Sequence, residues 1–350
     1  MRILVTGHDG YIGTTLTPML LRRGHDVHGI DNAMFRSCSF GSDPQPVGET
    51  LLDIRDVEPR HLAGFETIIH LAGISNDPSG DLNPSATDEI NHLATVRLAQ
   101  AAKESGVARF LFSSSCSIYG ARGDDELTEE AELAALTPYG KSKQLAEADL
   151  HLLADDSFSP VYLRNATAYG VSPRLRGDLV VNNLTGFAVT TGDVYLKSDG
   201  SSWRPLVHVQ DICQAFVALA ECDRELVHDE AFNVGATEEN YRIRDVAEIV
   251  AQVVPGCDVT MSDKAFNDPR NYRVNCDKLA QRIPAARCAW TVRRGVEELY
   301  AAMMANGLTL ADLEGPRFVR VEQMLELQRT ELLNPDLELI TPHGVSQADA

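Results

Sequence analysis

The sequence has few basic side chains relative to acidic ones. It contains 31 lysines and arginines against 51 aspartates and glutamates, which gives a formal net charge of −20 at pH 7. No group of basic residues forms a stripe that could neutralise a nucleic-acid backbone, so the sequence argues against nucleic acid as a partner. An anionic ligand would have to be bound by a few locally placed arginines, helix N-termini and backbone amides.

Paired cysteines and long apolar runs are also missing. The seven cysteines form an odd set without a CxxC pair or the spacing of a zinc site, so we expect free thiols in a reducing cytosol and no metal. No stretch approaches the roughly 18 consecutive apolar residues of a membrane span. The N-terminus has no charged leader followed by an apolar segment. We therefore predict a cytoplasmic protein without a membrane anchor.

The first half of the chain does contain a regular alternation of short β-branched runs and helical patterns. Predicted strands lie at 2–5, 26–30, 50–53, 67–72, 109–114 and 160–164, and predicted helices near 11–23, 84–105, 138–154, 211–221 and 243–253. This order predicts an α/β fold, a doubly wound parallel sheet with helices on both faces. From about residue 168 the pattern loosens, which indicates a smaller mixed region that caps the carboxyl edge of the sheet.

A glycine-rich loop joins the first strand to the first helix. In "TGHDGYIG" the glycines Gly7, Gly10 and Gly13 suit a tight turn, a close approach of backbone amides to a pyrophosphate, and close helix packing. Asp31 ends the second strand, where a carboxylate accepts hydrogen bonds from ribose hydroxyls and repels a 2′-phosphate. The pair predicts NAD rather than NADP. Arg36 could receive a phosphate, but a solvated loop arginine is the simpler interpretation.

Two further strand ends face the same edge of the sheet. In "DIRD" Asp53 can bond the adenine amino group and Ile54 can pack on the ring, although Asp53 can equally cap the next helix. "HLAG" at 70–73 ends the fourth strand, beside the expected pyrophosphate and ribose.

A tyrosine and a lysine stand one helical turn apart in "TPYGKSK". Tyr139 and Lys143 share one helix face, and a nearby ammonium favours the phenolate of a tyrosine whose pKa is ordinarily near ~10. Ser115, at the end of the fifth strand, can hydrogen-bond the same substrate oxygen. The alternative is a helix-terminal aromatic beside a solvated lysine.

Seven stretches, in order over roughly residues 1–300, resemble an extended short-chain dehydrogenase/reductase of the NAD-dependent epimerase/dehydratase type that acts on nucleotide sugars. They are "TGHDGYIG", "DIRD", "HLAG", "FLFSSSCSIYG", "TPYGKSK", "LRNATAYG" and "WRPLVHVQDICQAF". The resemblance implies a Rossmann-type NAD domain over 1–167 with 209–235 returning to it, a mixed α/β substrate-binding region over 168–208 and 236–315, and a C-terminal helix and tail over 316–350. The turn-rich last twenty residues argue against an ordered core role for that tail.

The resemblance also implies the role of each matching residue. Ser115, Tyr139 and Lys143 are the catalytic residues. The residues implied for NAD are Gly7, Gly10, Tyr11, Ile12, Gly13, Asp31, Asn32, Asp53, Ile54, Leu71, Ala72, Gly73 and Lys143. Those implied for the nucleoside diphosphate sugar are Ser75, Asn76, Ser115, Tyr139, Thr167, Asn182, Asn183, Arg204 and Arg270. A homodimer is implied, paired through the helix of "YGKSK" and its neighbour at 84–105.

The reaction is inferred from what replaces the acidic residues of relatives. Dehydratases of the family carry an Asp-Glu pair directly after the catalytic hydroxyl and decarboxylases a Glu two positions after it, whereas this chain has Cys116 and Ser117. This favours a 4-epimerase that works through a transient keto sugar with tightly held NAD. A 4-ketoreductase is the main alternative, and a non-catalytic dinucleotide sensor is a further one.

Several candidates for the sugar and its diphosphate stay open. Arg174 and Arg176 can contact the diphosphate or form structural salt bridges. Thr167 stands where many relatives have a substrate-contacting asparagine, so the sugar or its orientation is expected to differ from the galactose/glucose pair. Asp77 is a further candidate beside the sugar, and His208 is interpreted as a packing residue.

Overall fold

The computed structural model describes residues 1–123, 125–266 and 271–340, apart from the side chains of Lys197 and residues 262–266. Within these residues the strands are β1 (Arg2–Thr6), β2 (Asp26–Asp31), β3 (Gly48–Leu51), β4 (Thr67–His70), β5 (Arg109–Ser115), β6 (Glu126–Leu127), β7 (Ser159–Asn165), β8 (Thr167–Tyr169), β9 (Asp193–Ser198), β10 (Trp203–His208), β11 (Glu230–Val234), β12 (Asn240–Arg242), β13 (Asp258–Phe266) and β14 (Arg273–Val274).

The helices alternate with these strands. They are α1 (Gly13–Arg22), α2 (Asp77–Gly80), α3 (Pro84–Asp88), α4 (Ala94–Glu104), α5 (Pro138–His151), α6 (Val180–Thr191), α7 (Val209–Glu221), α8 (Ile243–Val253), α9 (Asp277–Arg282), α10 (Val292–Ala305), α11 (Leu310–Glu314) and α12 (Arg320–Arg329). A π-helical segment, Glu89–Leu93, joins α3 to α4.

Seven of the strands form one parallel sheet in the order β11-β7-β5-β4-β1-β2-β3. The residues of β4 and β7 are all buried, as expected for strands covered by helices on both faces. The strand order reverses between β1 and β4, and ligands bind at such a switch point beyond the carboxyl ends of the strands. The predicted α/β doubly wound fold of the Rossmann type is confirmed.

The predicted helix at 84–105 is present as one continuous helical stretch over residues 84–104, with the π-helical segment in its middle. Asn91, within the π-helical segment, binds the backbone of Ile74 in both directions, accepting from its N–H at 2.7 Å and donating to its carbonyl at 2.9 Å. This tertiary contact holds the loop after β4, and a π-helical turn is a common way to direct one side chain out of register.

The second half of the chain builds smaller sheets beside the carboxyl edge of the large one. β8, β10 and β12 form a three-stranded sheet, and β9 pairs with β13. A separate apolar core fills this region, with Val246, Val250, Val296 and Leu299 among its buried members. α7 and β11 instead pack against the large sheet, next to α1 and β7.

The expectation that the C-terminal tail has no ordered core role is wrong for residues 331–340. Leu333 and Leu337 are buried in the core under the large sheet, and Leu333 pairs with Leu339 in a short antiparallel bridge. Arg55 also holds the tail by donating to the carbonyls of Asp336 and Leu337 at 2.8 and 3.0 Å. Two leucines in a polar stretch therefore suffice to anchor it. Residues 341–350 lie outside the described part of the chain.

Two other expectations concern thiols and membrane spans. All seven cysteines are free thiols. Among the described residues, none of the helices has both the length and the apolar character needed to cross a membrane.

Candidate active site

One cleft of about 550 Å³ opens at the carboxyl ends of the strands. Its size is in the range that holds small-molecule ligands and cofactors. Of the residues to which the resemblance assigns a role, all but Asn182 and Arg270 line it. Arg270 lies outside the described residues. The cleft thus brings together residues from position 7 to position 204 of the chain.

The glycine loop forms one wall of the cleft. Gly7 has a φ of 74°, and a Cβ added there would lie 2.6 Å from the backbone nitrogen of Ala72, so only glycine fits this turn. At Gly10 an added Cβ would meet only the Gly7 carbonyl oxygen, at 3.2 Å. Gly10 therefore keeps its cleft side open, as a backbone that receives a phosphate group requires.

Asp31 closes the second strand beside this loop. Its carboxylate accepts the backbone N–H of Ala33 at 2.8 Å and that of Asp9 at 3.1 Å. Burial raises the pKa of Asp31, and these hydrogen bonds act in the opposite direction. Arg36, the alternative phosphate receptor, is half-exposed and pairs instead with Asp9 at 2.9 Å and with Glu49. Arg36 is therefore engaged by two carboxylates of the protein rather than free to receive a 2′-phosphate.

Asp53 and Arg55 form an ion pair at the far end of the cleft. The guanidinium of Arg55 donates to both carboxylate oxygens of Asp53, at 2.9 and 2.8 Å, and Asp53 also accepts the Arg55 backbone N–H. Although burial opposes it, this pairing holds the pKa of Asp53 below its ordinary value. Asp53 therefore caps the helical turn that follows it and also lines the cleft.

The sequence around "TPYGKSK" explains why Tyr139 and Lys143 enter the cleft. Thr137 caps α5, because its Oγ1 accepts the Gly140 N–H at 3.1 Å, and Pro138 takes the first helical position. The Thr137 hydroxyl also donates to Asp77 at 2.7 Å, which ties the start of the helix to the loop after β4. This start directs Tyr139 and Lys143 towards the ends of β4 and β5.

Burial sets the electrostatics of this pair. It raises the pKa of Tyr139, against the hydrogen bond with Ser115, while the charge of Asp77 adds to the rise and that of Arg176 opposes it. It lowers the pKa of Lys143 to about 8, against the influence of Glu147. The Lys143 ammonium lies 4.6 Å from the centre of the Phe112 ring. Burial and the neighbouring charges of the protein keep Tyr139 protonated at neutral pH. Tyr139 can therefore act as a base only when one more cation lies nearby.

Three consecutive serines end β5, and their hydrogen bonds distinguish them. Ser113 accepts from the side-chain amide of Asn165 at 3.1 Å. Ser114 donates to the buried carboxylate of Glu147 at 2.5 Å. The Oγ of Ser115 accepts the backbone N–H of Ser117 at 3.2 Å, and Ser115 is the serine whose hydroxyl acts to lower the pKa of Tyr139. The catalytic role that the sequence assigns to Ser115 stays a prediction.

The cleft continues past Tyr139 to residues of the second region. Thr167 pairs with Leu206 at the start of β8, and Asn183 donates to the Gly177 carbonyl at 2.8 Å from the first turn of α6. Arg204 is buried, 5.9 Å from the centre of the Tyr272 ring. Four of these residues line the cleft, namely Thr167, Asn183, Arg204 and Tyr272.

Asn182 is a substrate candidate that the structure turns away from the cleft. It is fully buried, its Oδ1 accepts the Gly170 N–H and its Nδ2 donates to the Arg176 carbonyl, both at 2.9 Å. Both ends of its amide thus hold the loop before α6. Asn183, one position later on the helix, is the asparagine that lines the cleft.

A buried ion pair in the cleft wall joins Arg176, whose role the sequence left open, to a residue that the sequence did not single out. Arg176 pairs with Asp178 at 2.7 Å, and its Nη1 donates to the hydroxyl of Ser75 at 3.2 Å. Asn76 donates to the same Asp178 carboxylate while its Oδ1 caps α2. The structural salt bridge anticipated as one possibility for Arg176 is thus present within the site. Arg174 likewise pairs with Asp9, at 2.6 Å, but it does not line the cleft.

Two further cleft residues were not predicted at all. Asn165 Oδ1 and Ser117 Oγ are buried and have no hydrogen-bond partner among the described residues. Buried polar atoms normally have a hydrogen-bond partner, so both are available to a bound ligand.

His208 is fully buried, bonded to Glu298 at 2.8 Å and stacked on Trp290, which agrees with its interpretation as a packing residue.

A comparison with known proteins shows the family to which this chain is similar. The sequence model of the NAD dependent epimerase/dehydratase family matches residues 3–235. The chain belongs to this family. The UDP-glucose 4-epimerase of Bacillus subtilis (strain 168) is 28% identical over 330 residues, which cover 86% of this chain and 95% of that protein.

Solved structures with the same fold include proteins with different activities. One is the UDP-glucuronic acid 4-epimerase from Bacillus cereus in complex with UDP-glucuronic acid and NAD, with a TM-score of 0.75, 23% identity, and coverage of 87% of this chain and 99% of that one. Another is the dTDP-glucose 4,6-dehydratase from Streptomyces venezuelae with NAD bound, with a TM-score of 0.77, 22% identity, and coverage of 90% and 100%.

The residues of the cleft fit the NAD of this family. The open side of Gly10 and the carboxylate of Asp31 provide for a pyrophosphate and a ribose, and the unpartnered Asn165 Oδ1 provides an acceptor deeper in the cleft. Bound in this cleft, NAD would supply a hydride acceptor and, once reduced, a hydride donor. The positive charge of its oxidised nicotinamide is also the further cation that Tyr139 needs to serve as a base.

Proposed function

We propose that this protein is a nucleotide-sugar 4-epimerase that oxidises a UDP-linked hexose or hexuronate to a transient 4-keto sugar and reduces it from the other face. Tyr139 takes the proton of the sugar hydroxyl, Ser115 holds the same oxygen, and Lys143 keeps positive charge close to the phenol. The arrangement of these three side chains in one cleft with Asp31 is the observation that carries the proposal.

The residues after Ser115 support epimerisation over dehydration. Elimination requires an acid and a base besides Tyr139. Cys116 is buried, burial raises the pKa of its thiol far above neutrality, and its sulfur donates to the Arg164 carbonyl at 3.1 Å. Ser117 lines the cleft but carries only a hydroxyl. Neither residue can exchange a proton with a sugar carbon at neutral pH.

The proposal is tested by supplying UDP-glucose, UDP-glucuronic acid and dTDP-glucose to the NAD-loaded protein without added reductant. We expect the 4-epimer of at least one UDP sugar, measured by NMR, with no net change in NADH absorbance. Stoichiometric NADH or NADPH consumption with a keto sugar would instead identify a 4-ketoreductase. A 4-keto-6-deoxy product would identify a dehydratase, and NAD binding with no turnover would favour the non-catalytic sensor.

We also infer a homodimer built on α5 and the neighbouring π-helical segment. Leu93, Leu145 and Leu152 are large apolar side chains that are 40%, 47% and 77% exposed on these elements. His92 joins the two elements by bonding Asp149 at 2.7 Å, so they form one surface. Sedimentation equilibrium should give twice the monomer mass, and replacing Leu145 by Asp should halve it. A wild-type monomer at micromolar concentration would contradict this inference.

A further inference from the structure

Arg320, the first residue of α12, is a cleft residue from the far end of the chain. It is only 3% exposed and lines the same cleft as the glycine loop. Its Nη2 donates to the Arg174 carbonyl at 2.8 Å, and its guanidinium lies 4.5 Å from the centre of the Phe35 ring. Its Nη1 is buried and has no hydrogen-bond partner in the part of the chain that the structure describes.

Arg320 also lacks the carboxylate that each neighbouring arginine has. Arg174 pairs with Asp9 at 2.6 Å and Arg176 with Asp178 at 2.7 Å, whereas no described carboxylate lies within 4.0 Å of the Arg320 guanidinium. Burial lowers the pKa of Arg320 to about 10, and Arg176 adds to this effect, so the group is still charged at neutral pH.

The thiol of Cys38 does not supply the missing negative charge. Burial raises its pKa, and its sulfur donates to the Pro316 carbonyl at 3.6 Å. Asp178 pairs with Arg176 and acts on Arg320 only from beyond ion-pair distance, so Arg320 is a buried positive charge without an ion-pair partner among the described residues. Burying such a charge is costly unless an anion pairs with it, so an anionic ligand is expected at this place.

The contacts of Arg320 place it on the cofactor side of the cleft. Phe35 follows Asp31 by four residues, and Arg174 is bound to Asp9 within the glycine loop. The candidates for the nucleotide sugar, Asn183 and Arg204, come instead from α6 and β10. We propose that Arg320 binds the pyrophosphate of NAD, as a second anion-binding group besides the backbone of the glycine loop.

A second contact extends this role to the C-terminal segment. Leu337 lines the cleft together with Asp53 and Ile54, and Arg55 joins Asp53 to the Leu337 carbonyl at 3.0 Å. The stretch from Arg320 to Leu337 thus borders the cofactor site at two points. It lies beyond the residues 3–235 that match the family, so it adds to the shared cofactor motifs. Such a segment slows NAD release, which suits an enzyme that regenerates its cofactor in each turnover.

The test compares Arg320→Gln with Arg329→Gln. Arg329 is an exposed arginine of the same helix that pairs only with Glu326 among the described residues, so it controls for loss of charge on α12. Binding of ADP-ribose and of adenosine to the NAD-stripped full chain is measured by calorimetry. We expect Arg320→Gln to weaken ADP-ribose about 10-fold or more and adenosine less than about 2-fold, because only ADP-ribose carries the pyrophosphate. Arg329→Gln should change neither.

Three results would overturn the proposal. The first is unchanged ADP-ribose affinity. The second is an equal loss for adenosine, which would indicate a general distortion of the site. The third is a selective loss of affinity for UDP, which would place the anion in the nucleotide sugar. If Arg320→Gln does not fold, Arg320→Lys retains the charge without the guanidinium and should weaken ADP-ribose by a smaller factor. The test measures binding and involves no turnover of a hexose or hexuronate substrate, so these results are independent of the proposed epimerase activity.

Discussion

Replacing Tyr139 by phenylalanine is expected to lower turnover by roughly 10²-fold or more while NAD stays bound. The variant keeps the ring, which lies in the cleft at the start of α5, and removes only the hydroxyl. Lys143 cannot replace the phenol as a base, because it is an ammonium below pH of about 8.

The control for this prediction is Tyr241→Phe. The hydroxyl of Tyr241 donates to Glu239 at 3.3 Å, and the residue does not line the cleft, so turnover should change little. Bound NAD is measured by releasing it from each denatured protein. Near-normal turnover of Tyr139→Phe would reject Tyr139 as the base, and loss of NAD from the variant would assign the tyrosine a role in cofactor binding instead.

The fold was predictable because its signals are local. Strands buried on both faces appear as short apolar runs, and the six strands predicted in the first half fall within two residues of β1, β2, β3, β4, β5 and β7. The strand β11 was not predicted as a separate element, although residues 209–235 were expected to return to the sheet. Its sequence, "EAFNV", is short and mixed, and its place is set by pairing with β7.

That Ser115, Tyr139 and Lys143 enter one cleft was also predictable, since each lies in a motif with its own structural cause. Thr137 and Pro138 start α5 at a position that directs Tyr139 and Lys143 into the cleft. The choice between Asn182 and Asn183 could not be made in the same way. Consecutive helical residues point about 100° apart, and which of them faces the cleft depends on how α6 packs.

The charged residues of the cleft wall had no local signal at all. Arg320 meets Arg174 across 146 positions of the chain, and Asn76 meets Asp178 across 102. A sequence motif records spacing along one segment, whereas these contacts arise from the docking of the C-terminal helix and the loop before α6. The raised pKa of Tyr139 could not be predicted from the sequence either. The depth to which the phenol is buried depends on all the elements that cover the site.

Replacing Lys143 by methionine is expected to lower turnover without destabilising the folded protein. Turnover should fall by roughly 10²-fold or more, because the phenolate of Tyr139 loses a nearby positive charge. The folded protein should not be destabilised at pH 7, because the wild type carries the cost of burying an ammonium. That cost is visible in the pKa of Lys143, which burial lowers from 10.5 to about 8.

The lowered pKa of Lys143 determines how the free energy of unfolding changes with pH. Between about pH 8 and 10.5 the unfolded chain binds more protons at Lys143 than the folded chain does. The free energy of unfolding of the wild type therefore gains a contribution that rises with pH across this window, by up to about 3 kcal/mol. Lys143→Met lacks this contribution. Below the window the cost of the buried charge is present in full, and above it the cost is gone.

The measurement is urea unfolding of the wild type and the variant at pH 7.5 and pH 10, each stripped of NAD. The difference between the two proteins should change with pH in favour of the wild type, since other titrating groups, such as the buried cysteines, contribute equally to both. Lys141→Met is the matched control, because Lys141 is exposed on the same helix and should alter neither turnover nor the pH dependence. An identical pH dependence for Lys143→Met and the wild type would mean that the ammonium is solvated. It would then be too well screened to shift the phenol of Tyr139, and the catalytic role assigned to the pair would fail with it.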